Sequence, residues 1–185
     1  MEVHVQLTWK EVNKLITKLV DDDKYEWALL LSLGVNLPIK IKEVLSLKWE
    51  DLYNFHDECV AHEFSVGKKN FNINGSVESL LMHASVGDRV EGTDVFKVND
   101  KLVNSVMVSR EFKKWYKVYS LGIVPTDLKR IFARRVIEKF GFHNKVLLWL
   151  KAVLGQVTVD DVVELAGYHC DWDDINLEII TKGLE

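Results

Sequence analysis

Apolar residues recur three and four positions apart along most of the chain, which is the spacing of helices that bury one face. Thr8 and Glu11 have the spacing of a capping box and predict a first helix that runs to about Val20. A nearly continuous apolar run around Trp27 and Leu31 predicts a second helix at the centre of the core. The chain is therefore expected to be mainly α-helical.

Two prolines suggest where later helices begin. Pro38 suits the first turn of a third helix, which would turn Val44 and Leu47 inward. Pro125 likewise suits the start of a helix that continues through Phe140. The same periodicity predicts further helices over residues 77–84, 109–119, 144–153 and 159–166.

On both sides of Gly67-Lys68-Lys69 the sequence is rich in β-branched residues or alternates between apolar and polar residues. Segments 58–66 and 70–73 therefore predict a hairpin around these three residues, and a short strand is expected over 95–98. The fold class is thus mainly α with a small antiparallel β-sheet. No repeat, low-complexity segment or linker interrupts residues 1–185, so a single domain is expected.

The net charge of −4 hides a strong asymmetry along the chain. Residues 97–151 carry 13 basic and 4 acidic side chains, net +9, whereas residues 152–185 carry 1 basic and 8 acidic side chains, net −7. A basic block between acidic ends predicts a local site for a polyanion. A solvated charged face, or a surface helix paired with the acidic tail, is the alternative interpretation.

No run of about 18 uncharged apolar residues is present, so no membrane span is predicted. The N-terminus has neither the basic end nor the apolar stretch of an export signal. The expected location is therefore the cytoplasm, with association with the nucleoid in a prokaryote.

Cysteine and histidine positions argue against a disulfide framework and a metal site. Cys59 and Cys170 are far apart and form no Cys-x-x-Cys arrangement. The pairs His56 with His62 and His169 with Cys170 lack the spacing of a zinc site. No metal and no cofactor is expected.

Three segments resemble the signatures of the tyrosine-recombinase (phage-integrase) catalytic domain, and they occur in the order of that family. Residues 37–52 resemble its first signature most closely from Glu43 to Leu52, 126–133 resemble the second, and 166–168 the third. Lys68, in the predicted hairpin, falls where the family carries a catalytic lysine. The resemblance implies an integrase catalytic-domain fold over nearly the whole chain.

The departures from the family pattern fall on its catalytic positions. Lys40 and Lys129 stand where the family has two arginines that hold the scissile phosphate. A lysine keeps the positive charge but loses the planar fork that grips two phosphate oxygens. Thr126 and Tyr168 stand where the family has histidines, and threonine is no general acid or base near neutral pH.

The position of the family's nucleophilic tyrosine decides the expected enzymology. Leu177 stands there, and a hydrocarbon side chain cannot form a covalent bond to phosphorus. Tyr168 would have to attack from the wrong end of the final helix, without the arginine pair. The chain is therefore expected to be a pseudoenzyme, and an active enzyme that uses other residues is a minor alternative.

The resemblance implies a protein that binds duplex DNA and does not cut it, in the regulation or assembly of a recombination or mobile-element complex. The residues expected to contact DNA are Lys40, Lys68, Lys69, Lys129, Arg130 and Arg134. The rival hypothesis is a protein–protein interaction module that keeps the fold without DNA binding. The reason for this hypothesis is the acidic tail. An apolar surface there could dock on a homo- or hetero-oligomeric partner, and it would be formed by Ile175, Leu177, Ile179 and Ile180.

Overall fold

A computed structural model describes residues 7–67, 69–83 and 89–168. The chain divides into two compact units, Met1–Phe132 and Ala133–Glu185, and each is described by itself. The expectation of a single domain over residues 1–185 stays a prediction.

Helices dominate the described part of the chain, as the apolar spacing predicts. In chain order they are α1 (Trp9–Asp21), α2 (Tyr25–Asn36), α3 (Ile41–Leu45), α4 (Trp49–Leu52), α5 (Gly75–His83), α6 (Ser105–Tyr119), α7 (Asp127–Phe140), α8 (Asn144–Leu154) and α9 (Val159–Leu165). Among the described residues, no helix has the length and apolar character needed to cross a membrane.

The strands are short and form antiparallel two-stranded sheets. They are β1 (Tyr53–Asn54) with β2 (Cys59–Val60), β3 (Glu63–Val66) with β4 (Lys69–Asn72), and β5 (Lys97–Val98) with β6 (Lys101–Leu102). The prediction of a mainly α chain with small antiparallel sheet content is confirmed.

The first helix begins where its capping box predicts. The Thr8 amide donates to Glu11 Oε2 at 2.7 Å, and the Glu11 amide donates to Thr8 Oγ1 at 3.3 Å. These bonds satisfy amides that lack a partner within the helix. The predicted second helix is also confirmed, since α2 is buried continuously from Trp27 to Val35.

The prediction that Pro38 lies in the first turn of the third helix is wrong. Lys40 has extended backbone angles (φ −79°, ψ 148°), and its amide donates to Glu43 Oε2 at 2.5 Å. That bond fixes the N-cap at Lys40 and the first helical residue at Ile41, because a carboxylate three residues on satisfies the amide at the cap. Pro38 therefore precedes the helix by three residues.

The predicted hairpin around Gly67 is confirmed, but its first strand is shorter than expected. Val66 pairs with Lys69, so Lys69 lies at the turn end of the hairpin. Cys59 pairs with Asn54 instead, in a separate hairpin whose turn includes Glu58 at φ 50°. Glu58 therefore lies in a turn, residues 59–60 pair with β1, and residues 61–62 separate them from β3.

The predicted start of the sixth helix, at Ser109, is four residues too late. Asn104 is the N-cap of α6, and its Oδ1 accepts hydrogen bonds from the Val106 and Met107 amides, each at 3.0 Å. Asparagine is among the preferred N-cap residues. The buried face of α6 meets α2, where the rings of Trp27 and Trp115 pack edge to face at 6.1 Å.

The second unit has its own buried face, as the periodicity of α8 and α9 predicts. Its buried residues are Ala133, Ile137, Leu147, Leu150, Leu154, Val162, Val163 and Ala166. α9 ends at Leu165 and is followed by Gly167, which has φ 80°. The Tyr168 amide donates to Val163 O at 3.1 Å. These are the features of a helix whose C-terminus is capped by a glycine with left-handed backbone angles.

Candidate nucleic-acid interface

The start of α7 is built from an aspartate and the residues on either side of it. The Val124 amide donates to Asp127 Oδ2 at 2.8 Å, while Asp127 Oδ1 lies 3.5 Å from Arg130 Nη1. The carboxylate is favourably placed for the helix dipole and holds Arg130 against the first turn. Lys129 lies in the same turn, between Leu128 and Arg130.

A glycine in α2 allows the first turn of α7 to approach closely. A Cβ atom on Gly34 would lie 2.6 Å from Leu128 Cδ1, which is shorter than side chains tolerate. Leu128 is buried at that contact. Since α2 ends at Asn36 and Lys40 follows shortly after it, this contact brings the first turn of α7 near the start of α3.

Lys129 is half-buried and shares its surroundings with two other lysines. Burial lowers the pKa of Lys129 below its ordinary 10.5, and the charges of Lys40 and Lys69 lower it further, against an opposing effect of Glu43. Each of these charged groups is near enough to Lys129 to affect its protonation. We call Lys40, Lys69 and Lys129 the lysine cluster.

The other two members of the lysine cluster are exposed. Lys40 is the N-cap residue of α3 and Lys69 is the first residue of β4, so each is fixed by local backbone structure. Both were predicted from the sequence to contact DNA, and the charge of each lowers the pKa of Lys129.

Glu43 belongs to the same site and was not among the residues predicted from the sequence. Its carboxylate accepts the Lys40 amide and lies close enough to Lys129 to raise that lysine's pKa. The three-residue spacing from Lys40 to Glu43 is the signal that could have identified it, because that spacing is the second half of a capping box.

Arg130 contributes a guanidinium with one unsatisfied donor. Its Nε is buried and lacks a hydrogen-bond partner among the described residues, although Nη1 is within ion-pair distance of Asp127. A buried donor without a partner is costly, so an oxygen-bearing ligand that reached Nε would be favoured. Arginine donors of this kind suit phosphate oxygens.

No protein-family model and no curated protein sequence matches the chain. Solved structures do. XerA recombinase matches with a TM-score of 0.68 at 15% identity, over 92% of this chain and 61% of that one. The Tn1549 transposon integrase in complex with transposon right end DNA matches with a TM-score of 0.63 at 16% identity, over 99% of this chain and 67% of that one.

The fold is that of a tyrosine-recombinase catalytic domain. The fold predicted from the three sequence signatures is thereby confirmed. A second Tn1549 integrase structure, in complex with circular intermediate DNA, gives a TM-score of 0.61 at 17% identity. The chain spans about three-fifths of the XerA chain, with 61% covered.

The other residues predicted from the sequence lie in both units. Thr126 is exposed immediately before α7. Arg134, in the second unit, donates from Nε to Glu138 Oε1 at 2.8 Å. The Tyr168 ring packs edge to face on Phe142 at 5.7 Å. Lys68 and Leu177 lie outside the described residues.

Possible metal ligands and the cysteine thiols form the last group of predicted residues. There, no group of three His, Cys, Asp or Glu side chains is placed to share a metal ion. Cys59 is an exposed free thiol on β2, whereas Cys170 lies outside the described residues. The expectation that the chain uses no metal and no cofactor stays a prediction.

Proposed function

We propose that this chain binds duplex DNA through the phosphate backbone and does not cleave it. The lysine cluster carries the proposal, because the charges of Lys40 and Lys69 act on the half-buried Lys129 in the first turn of α7. Such a concentration of positive charge attracts a polyanion, and a phosphate beside Lys129 would compensate the burial of its ammonium group.

Arg130 adds to the proposed contact. Its side chain is 39% exposed, so the accessible part of the guanidinium can reach a phosphate oxygen while Asp127 holds the group at the first turn. Lys68 is proposed to contact DNA from its place in the sequence beside Lys69. Arg134 is proposed separately, as a contact made by the second unit.

The choice of duplex DNA as the polyanion is supported by the fold. The Tn1549 integrase structures that resemble this chain are described in complex with transposon right end DNA and with circular intermediate DNA. A basic site on such a fold is suited to the regular spacing of duplex phosphates. We propose a role in regulating or assembling a recombination or mobile-element complex.

The absence of cleavage is proposed from the residue types at the catalytic positions. Lys40 and Lys129 supply point charges instead of guanidinium forks, and Thr126 supplies no general acid or base. Leu177 supplies no nucleophile. A chain with these four residues would bind the backbone without attacking it.

Binding of a labelled duplex across a salt series tests the proposal. The logarithm of affinity should fall steeply with the logarithm of salt concentration, and Lys129→Ala should reduce that slope by about 1, the value expected for one lost phosphate contact. Lys129→Arg should keep the slope, because the charge is kept.

The matched control is Lys10→Ala. Lys10 is an exposed lysine of α1 and is not among the charges that shift the pKa of Lys129, so its loss should leave the slope nearly unchanged. Equal effects of the two alanine variants would contradict a specific role for the lysine cluster. Failure of the wild-type chain to bind at low salt would reject DNA binding and favour the protein-interaction module.

A further inference from the structure

A cleft in the first unit is lined by residues of α1, α2 and α5, and none of the lysine cluster lines it. Its volume is about 600 Å³, which is within the range of sites that bind small molecules. α2 packs against both α1 and α5 and supplies Ser32 and Asn36 to the lining. The cleft therefore has room for a small organic ligand between two helices that rest on a third.

The lining of this cleft is uncharged. Charged residues make up 28% of the chain, yet none of the described residues that line the cleft is Asp, Glu, Lys or Arg. The lining combines apolar side chains, such as Trp9 and Leu80, with hydroxyl and carboxamide side chains, such as Thr17 and Asn13. An ion bound here would lose water without gaining an opposite charge, so the lining favours a neutral ligand that forms hydrogen bonds.

Ser32 gives the cleft a buried hydroxyl with unused hydrogen-bonding capacity. The residue is 1% exposed, and its Oγ accepts a long bond of 3.4 Å from Asn36 Nδ2. Its hydroxyl proton has no acceptor among the described residues. A buried donor without an acceptor is costly, so a ligand that presents an acceptor atom to Ser32 is favoured.

Trp9 and Asn13 are four residues apart on α1, so they share a face of that helix, and both line the cleft. An aromatic ring stacks on a nucleobase, and a carboxamide offers a donor beside an acceptor, the pattern that matches the N6 and N7 atoms of adenine. Ser76 and Ser79 add hydroxyls three residues apart on α5. Such hydroxyls both donate and accept, as the hydroxyls of a sugar require.

We propose that this cleft binds an uncharged purine nucleoside. The base packs on Trp9 and bonds to the Asn13 carboxamide, and the ribose hydroxyls bond to Ser32 and to the serines of α5. No phosphate is needed, because the described lining holds no cation to bind one. The site goes beyond the proposed function and does not depend on DNA binding.

Isothermal titration calorimetry of the full chain with adenosine tests the proposal. We expect a Kd of about 0.1–1 mM, which is ordinary for a ligand of this size without a charged contact. Adenine and ribose, the two halves of adenosine, should each bind at least about tenfold more weakly. The Kd for adenosine should not change when salt is raised or in Lys129→Ala, because no charge takes part.

Two neighbouring exposed residues of α5 give a matched pair of variants. Ser79→Trp fills the cleft and should abolish adenosine binding, whereas Glu78→Trp puts the same ring outside the lining and should leave the Kd unchanged. Ser32→Ala, checked for folding by circular dichroism, should raise the Kd about fivefold, the effect of one lost hydrogen bond.

Three results would overturn the proposal. They are the absence of adenosine binding by the wild-type chain, ribose binding as tight as that of adenosine, and equal effects of Ser79→Trp and Glu78→Trp. Adenosine binding by a chain that fails to bind DNA would support the nucleoside site and reject only the proposed function.

Discussion

Gly34 of α2 and Leu128 of α7 are packed so closely that a Cβ on the glycine would lie 2.6 Å from the leucine Cδ1. Leu128 is buried, and the space around its methyl groups is filled on this side by the α2 backbone. Lys129 is the next residue along α7. The glycine therefore determines how near the lysine cluster can come to α2.

Gly34→Ala should destabilise the first unit by about 1–2 kcal/mol. Overpacking of a filled core costs more than the gain of about 1 kcal/mol that alanine brings to a helix interior. Urea unfolding measures the difference. Gly75→Ala is the matched control, because nothing lies within 4 Å of its Cβ position, and it should be nearly neutral.

A double variant separates overpacking from other causes. Leu128→Ala removes the atoms that the new methyl group would meet, so Gly34→Ala should cost less in that background than in the wild-type chain. An equal cost in both backgrounds would show that the contact with Leu128 is not the reason.

Local signals in the sequence predict the helices well where the capping chemistry is complete. Thr8 and Glu11 gave the start of α1, whereas Pro38 gave a false start because Glu43 places the cap at Lys40. Both signals act over three residues. A proline allows a helix to begin, but the bonded carboxylate fixes where it does.

The site could be predicted in part. The recombinase signatures identified Lys40 and Lys129 in segments far apart in sequence, and in the folded chain the charge of Lys40 lowers the pKa of Lys129. Neither the burial of Lys129 nor the influence of Glu43 on it could be read from composition or spacing. Both depend on tertiary packing, of which the close approach of Gly34 and Leu128 is one part.

Tyr119 links the end of α6 to the turn after α1. Its hydroxyl donates to Asp22 and accepts a hydrogen bond from Lys24 Nζ at 3.0 Å. Tyr119→Phe should therefore cost about 1 kcal/mol at neutral pH, because Asp22 and Lys24 lose their bonds to the hydroxyl but keep their ion pair at 3.7 Å and remain partly exposed. Tyr116→Phe, on the same helix but 66% exposed, is the matched control and should be nearly neutral.

The pH dependence of stability gives a second measure of this link. Burial and the bond to Asp22 raise the pKa of Tyr119 above 10.0, and the bond to Tyr119 raises that of Lys24 above 10.5. Above these ordinary values the folded chain holds more protons than the unfolded one, so stability falls as pH rises. The free energy of unfolding should fall less steeply with pH in Tyr119→Phe than in the wild type. Equal slopes in the two proteins would contradict a contribution of Tyr119 to this pH dependence.

The capping box of α1 should make stability sensitive to acid. Hydrogen bonds from Thr8 lower the pKa of Glu11 below 4.5, so its contribution is complete above that value and is lost as pH falls through the lowered pKa. Thr8→Ala should cost about 1 kcal/mol at neutral pH and make the loss of stability in acid somewhat less steep, because the side-chain bond to Glu11 is lost while the backbone bond remains. Glu78→Gln, an exposed first-turn residue of α5, should leave that limb unchanged.

Lys129→Met should stabilise the protein while it weakens DNA binding. The pKa of Lys129 is lowered mainly by burial, so at neutral pH its charge opposes folding, and this cost disappears as pH rises towards 10.5. We expect the variant to unfold about 2 °C higher than the wild type at neutral pH. The gain should vanish near the ordinary lysine pKa, and Lys10→Met should show no gain.

The chain should form no covalent adduct with a nicked suicide duplex. In a recombinase that cleaves DNA the attacking group is a tyrosine hydroxyl, and the sequence resemblance aligns Leu177 with that position. Leu177→Tyr alone should also give no adduct, since Lys40, Lys129 and Thr126 would still lack the phosphate forks and the general acid or base. Denaturing electrophoresis of labelled DNA detects any adduct.

The same experiment must also exclude Tyr168 as a nucleophile. Its ring packs edge to face on Phe142 at 5.7 Å, a contact that accounts for the side chain as a packing residue of the second unit. Tyr168→Phe keeps the ring and removes the hydroxyl, so it should change neither DNA binding nor the absence of an adduct. An adduct formed by the wild-type chain and lost in Tyr168→Phe would identify Tyr168 as a nucleophile and reject the non-catalytic role.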